Sequence, residues 1–211
     1  MPNISDLLTT NTANIATNTA AVASAGGAHS YITKIEVTTR NASTLTMGSS
    51  YITSAYNDYY WEIIVPANGW VGSDDYLELN ITLQYNSGSY SNPYNGKLYF
   101  FLTNGNYESK GSGQTIADGA KRYASGSGGN EDQVYHFKGT IVSTQDLDVG
   151  ARVMSEGTYF HNSNDYVRSL HTGTWLADGT ASYKITGLRI ATGSPDFPVG
   201  TRFYLYGINR S

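Results

Sequence analysis

Few side chains of this 211-residue chain are suited to covalent or acid–base chemistry. There is no cysteine, so thiolate nucleophiles, disulfides and thiolate metal sites are excluded. The four histidines, His29, His136, His161 and His171, are scattered. His161 has Asn162, Asn164 and Asp165 nearby, and these oxygen donors could bind a hard cation. Asn and Asp at that density are more commonly turn formers, and Asp74-Asp75 after Gly72-Ser73 reads the same way. No Gly-x-Ser-x-Gly, phosphate loop, dinucleotide fingerprint or His-Glu-x-x-His occurs. Glycoside hydrolysis asks for two carboxyl groups at a fixed separation, so 17 acids keep it open without pointing to it. The residues name no catalytic group, no metal ligand and no resident cofactor.

The aromatic residues are better suited to recognition. Eighteen tyrosines accompany Trp61, Trp70 and Trp175. A ring with a polar tip stacks on sugar faces and tolerates a wet interface. Most tyrosines in strand-like runs are expected in the core or on sheet faces. Tyr90, Tyr94, Tyr107 and Tyr123 fall instead in two long connections, Asn86 to Gly96 and Gly105 to Asp132. Loops of that length in a compact domain are usually functional or mobile. These four are the candidate glycan-contacting residues. Trp70, in Pro-Ala-Asn-Gly-Trp, is expected in a turn that covers the end of the domain or a neighbouring subunit.

A second polar constellation lies near the N-terminus. Ile4, Leu8, Asn11, Ile15, Asn18 and Val22 are spaced alternately by four and three, the seam of a coiled coil. Leu8, Ile15 and Val22 take the a positions, and Ile4, Asn11, Asn18 and Ala25 the d positions. Five threonines between Thr9 and Thr19 make this a poor helix alone in water. Two buried amide layers must also be satisfied inside the seam. A parallel three-fold arrangement does both, because three equivalent amides then converge on one central anion or water.

The run Leu8-x-x-Asn11-Thr12-x-x-Ile15-x-x-Asn18-Thr19-x-x-Val22 resembles the Ile-x-x-Asn-Thr-x-x heptads of trimeric coiled coils in autotransporter adhesins and phage tail fibres. In that family the Asn ring holds a chloride, which the resemblance implies for Asn11 and Asn18. The match covers about a tenth of the chain. Gly200-Thr201-Arg202-Phe203-Tyr204-Leu205-Tyr206-Gly207-Ile208, after Ile185-Thr186-Gly187-Leu188-Arg189-Ile190, also looks like the closing strand of β-sandwich domains in phage virion proteins. The plan is similar to C1q/TNF-like trimeric heads, without their cysteines or collagen features.

The elements behind the aromatics are strands. Ala25-Gly26-Gly27-Ala28 ends the helix and divides a stalk, 1–27, from a head, 28–211. Short β-branched and aromatic runs follow, at Tyr31–Thr39, Ala42–Met47, Tyr59–Val65, Tyr76–Tyr85 and Lys97–Thr103, then Val134–Ser143, Ala151–Met154, Tyr166–Leu176, Ala181–Ala191 and Thr201–Ile208. Alternation is cleanest at Tyr76–Tyr85, where Leu77, Leu79, Ile81 and Leu83 oppose Glu78, Asn80, Thr82 and Gln84. Eight to ten strands with no helix between them predict antiparallel pairing in a mainly β, jelly-roll-like sandwich.

Only 14% of residues are charged and the net charge is −4, so no basic patch argues for nucleic acid. No apolar run approaches the roughly eighteen residues of a membrane span. No basic segment and apolar run open the chain, so no export signal is expected. Phage virion proteins, made in the host cytoplasm, share that combination. What the resemblance implies is a structural and adhesive virion protein, a homotrimeric phage tail fibre. Its N-terminal segment would dock on other virion proteins, and its head would contact a host surface glycan. The rivals are a capsid-attached head fibre or decoration protein, a surface-polysaccharide hydrolase and a secreted lectin. Fibre-borne depolymerases commonly use a longer chain with β-helix repeats, which this sequence lacks.

Overall fold

The computed structural model describes residues 29–39, 42–66, 68–70, 76–86, 88–92, 95–102, 107–110, 114–121, 123–124, 134–142, 144, 150–160, 166–175, 184–192 and 196–208. The stalk residues Ile4, Leu8, Asn11, Ile15, Asn18 and Val22, with their trimer seam and chloride ring, lie outside these. So do Tyr94 and the His161–Asp165 cluster. Every element among the described residues is a strand.

The larger sheet has eight strands. They are β1 (His29–Glu36), β3 (Asp58–Pro66), β7 (Asn95–Leu102), β8 (Tyr107–Lys110), β11 (Val134–Val142), β12 (Ala151–Phe160), β13 (Tyr166–Trp175) and β15 (Arg202–Ile208). Their order across the sheet is β1-β15-β3-β11-β12-β13-β7-β8, antiparallel throughout. The second sheet runs β2 (Thr44–Met47), β14 (Ile185–Thr192), β5 (Tyr76–Tyr85) and β6 (Tyr90–Ser91), with β9 (Thr115–Lys121) also paired to β5. A two-stranded parallel pair joins β4 (Asn68–Trp70) to β10 (Tyr123–Ala124), against the expectation of antiparallel pairing alone.

Alternation of side-chain size makes one face of each sheet apolar. Tyr59, Trp61, Ile63 and Val65 from β3 meet Leu79, Ile81 and Leu83 from β5 in a single core, joined by Phe137, Tyr159, Leu188, Ile190, Phe203 and Leu205. The arrangement is sandwich-like. Glycines on the inner face make room for the largest rings. A Cβ at Gly157 would collide with the Phe137 ring, and one at Gly139 would lie 2.8 Å from Trp61.

Inward-facing glycine and serine also explain where the sequence misleads. The run expected at Ala151–Met154 continues to Phe160, with Ser155 and Gly157 buried between Val153 and Tyr159. The polar middle of β13 is likewise continuous strand. Ser169 and His171 face the core, and Ser169 Oγ donates to the Ile116 carbonyl at 3.2 Å.

Both long connections contain strands. Tyr90 lies in β6, Tyr107 in β8 and Tyr123 in β10, so these three are strand residues and not loop residues. Strands of two to four residues are too short to display a period. Their backbone pairing to longer neighbours is what makes them strands. Trp70, expected in a turn, lies at the end of β4. Three described backbone positions need a left-handed conformation: Asn86 (φ 44°), after β5, Gly150 (φ 70°), before β12, and Gly200 (φ 92°), before β15.

Candidate functional site

The alternation that buries one face of the eight-stranded sheet leaves the other to solvent, and pairing register sets what stands beside what. Three cross-strand rows cross its middle. One runs Lys97, Thr172, Met154, Thr140, Tyr60, Tyr206, Tyr31 from β7 to β1. The next runs Tyr99, Leu170, Glu156, Lys138, Glu62, Tyr204, Lys34. The third runs Phe101, Arg168, Thr158, His136, Ile64, Arg202, Glu36.

Side-chain size shapes this face. The central strands carry small residues in their outer positions, Thr140, Thr158 and Thr172, while tyrosines stand on β3, β15 and β1. The result is a hollow of about 430 Å³ lined by His29, Tyr60, Lys138, Thr140, Met154, Glu156 and Leu170, with Gly139 and Ser155. That volume is within the roughly 300–1,000 Å³ of small-molecule sites. A smaller depression of about 140 Å³ shares Lys138 and Glu156 and adds His136, Thr158 and Arg168.

One wall of the hollow is an aromatic cluster. His29 stacks on Tyr60 with centroids 4.5 Å apart, and Tyr206 lies 5.6 Å from Tyr60. Tyr31 meets Tyr206 edge-on at 5.8 Å and is 61% exposed. Desolvation by burial, with the Glu62 charge adding to it, holds the Tyr60 and Tyr206 phenols above their ordinary value. Both are therefore protonated at neutral pH and can donate or accept hydrogen bonds.

The opposite rim is charged. Glu156 accepts from Arg168 at 2.8 Å and pairs with Lys138 at 3.1 Å. The Arg168 and Lys138 hydrogen bonds hold its carboxyl below the usual carboxylate range. His136 Nε2 lies 2.5 Å from Glu62 Oε1. At the β1 edge Glu36 pairs with Lys34 at 2.6 Å and Arg202 at 3.5 Å. With Arg152 at the outer end of β12 and Asp58 at the start of β3, the outward register positions of β1, β3, β7, β11, β12, β13 and β15 hold six Lys or Arg and four Asp or Glu. Among the described residues no three His, Asp or Glu group as a metal site.

The four tyrosines singled out from the sequence do not converge. Tyr107 pairs in register with Phe101 at the edge of the eight-stranded sheet. Tyr123 pairs with Asn68 in the two-stranded sheet. Tyr90 stands on the second sheet, half-buried, with the Arg189 guanidinium 4.6 Å above its ring. Tyr94 is outside the described residues. Sequence reading passed over Tyr31, Tyr60 and Tyr206 because they lie in strand runs. The available signal was the alternation in Tyr-Tyr-Trp-Glu-Ile and Arg-Phe-Tyr-Leu-Tyr, which puts tyrosine on the face opposite the apolar residues.

No protein-family model matches the chain, and no curated protein sequence does. Among solved structures, the alginate lyase Aly36B superposes with TM-score 0.34 and 13% identity, over 82% of this chain and 77% of that one. Arcelin-5, a lectin-like defense protein of Phaseolus vulgaris, does so with TM-score 0.26 and 7% identity, over 84% and 99%. Overlaps this loose carry no argument about function.

Proposed function

We propose that this protein is an adhesive module that binds a surface glycan on the open face of its eight-stranded sheet. The observation that carries the reading is the aromatic wall of His29, Tyr60, Tyr206 and Tyr31 beside a hollow with a hydrogen-bonding rim. Sugar rings present an apolar face and an equatorial belt of hydroxyls. A tyrosine ring suits the first, and the phenols, Thr140, Lys138 and Glu156 suit the second. The sequence adds the rest of the proposal: a homotrimeric phage tail fibre whose residues 4–25 form a parallel stalk under a jelly-roll-like head. A capsid-attached fibre is the same molecule in another place on the virion. Three weak sites on one rigid head gain strongly through effective concentration. Light scattering tests the stalk, where a mass near the 22.9 kDa of one chain would remove the trimer. Glycan-array binding by the full chain, lost in Tyr60→Ala with Tyr206→Ala, tests the site.

A hydrolytic reading has one observation in its favour. Glu62 and Glu156 lie in one cross-strand row on either side of Lys138, so their backbones are about 10 Å apart. Two carboxyls across a trough resemble the pair that inverting glycosidases use. A general acid must hold its proton near neutral pH. Glu156 is held ionised by two cations, and Glu62 is bonded to His136. Binding without cleavage therefore fits this face better. New reducing ends on incubation with a host polysaccharide would reverse that judgement.

A further inference from the structure

We infer that the glycan taken by this face is acidic, a polysaccharide carrying carboxylate or sulfate groups. This rests on the glycan reading above and narrows it to a substrate class. The whole chain has 13 Lys and Arg against 17 Asp and Glu. Among the described residues, the outward positions of the eight-stranded sheet reverse that balance, with six Lys or Arg against four Asp or Glu, of which Asp58 is buried. The face is net positive on a net negative protein, which steers polyanions towards it.

The arrangement at the hollow sharpens the point. Two cations, Lys138 and Arg168, share the single carboxylate of Glu156. Their side chains are 42% and 68% exposed, so both have donors facing solvent. Glu156 alone leaves one positive charge of that trio unmatched. Arg168 offers the planar fork that matches a carboxylate or sulfate. Tyr60 and Lys138 line the same hollow, and Arg168 lines the smaller depression that shares Lys138 and Glu156, so a sugar ring against Tyr60 has both cations on neighbouring strands.

The test is affinity electrophoresis of the full chain in gels containing polygalacturonate, hyaluronate, fully methyl-esterified polygalacturonate or dextran, with polyglutamate as a non-sugar polyanion. Retardation by an acidic polysaccharide and not by the methyl ester or dextran is expected. Raising salt from about 50 to 500 mM should weaken it at least about tenfold, because the contacting charges are solvent-exposed. Lys138→Gln with Arg168→Gln should also cost at least about tenfold. Equal retardation by acidic and neutral polymers overturns the acidic preference and leaves the glycan reading standing. Retardation by none of the polysaccharides overturns both. Equal retardation by polyglutamate makes the face a general polyanion surface and overturns the glycan class.

Discussion

The two sheets turn opposite kinds of face outward. On the five-stranded sheet the polar groups are consumed locally. Arg189 lies over Tyr90 and donates from Nε to Thr82 Oγ1 at 3.0 Å, Gln84 donates to the Gly88 carbonyl at 2.7 Å, and Thr115 donates to Glu78 at 2.5 Å. On the eight-stranded sheet Tyr31, Tyr60 and Tyr206 cluster with each other and His29 on the outer face, and two cations crowd one carboxylate beside a hollow. A closed face stabilises its own sheet. An open one keeps rings and donors for something else. Tyrosine content alone does not tell these apart, since both faces have it. What covers each ring does.

The largest break of this contrast comes from beneath the open face. Gly157→Val drives a side chain into Phe137, and overpacking of this kind should cost about 3 kcal/mol or more. For a chain of this length that lowers the melting temperature by roughly 10 °C. A melting curve within 2 °C of native would mean that the inner face is not packed as described. Next comes the open face itself. Tyr60→Ala with Tyr206→Ala should weaken glycan binding by about thirtyfold, the scale of a contact hot spot, since Tyr60 lines the proposed site and Tyr206 packs against it. Equal affinity in this variant would move the site elsewhere.

On the closed face, Arg189→Ala removes a cation–π contact and a hydrogen bond, and should cost about 1 kcal/mol with no change in glycan affinity. Any loss of binding there would erase the distinction between the sheets. The smallest effect concerns acid. Glu156 has a folded value below its unfolded one, so its contribution is present above the ordinary carboxylate value and disappears as pH falls through the folded value. The pair is largely exposed, so Glu156→Gln should lower stability by under about 1 kcal/mol at pH 7. Paired melts at pH 7 and pH 3 should show that difference vanish at the lower pH.

Much of the fold was legible in the chain. Ten strand-like runs correspond to the ten long or well-paired strands, and Tyr76–Tyr85 matches its strand at both ends. Alternation is readable because a strand half-buried against a core must alternate. Five strands were not legible: β4, β6, β8 and β10 have two to four residues and carry no period, and β9, Thr-Ile-Ala-Asp-Gly-Ala-Lys, has seven but no clean alternation. The site was legible only as a residue type. Aromatic recognition was expected, but it was sought in the connections, whereas the cluster is assembled from strands whose residues are up to 177 positions apart, His29 to Tyr206.

Local composition determined the ten longer or better-paired strands, their buried positions and the absence of thiol chemistry. Those follow from period, propensity and atom type, which neighbouring residues already define. Strand order is different. Nothing in Tyr60, His136, Lys138, Glu156 or Arg168 by itself says that β3, β11, β12 and β13 lie side by side in a register that brings these residues to one trough. Pairing is a contest among long-range partners that the whole core must satisfy together, so only the tertiary structure decided which of many tyrosines face an open hollow and which are covered.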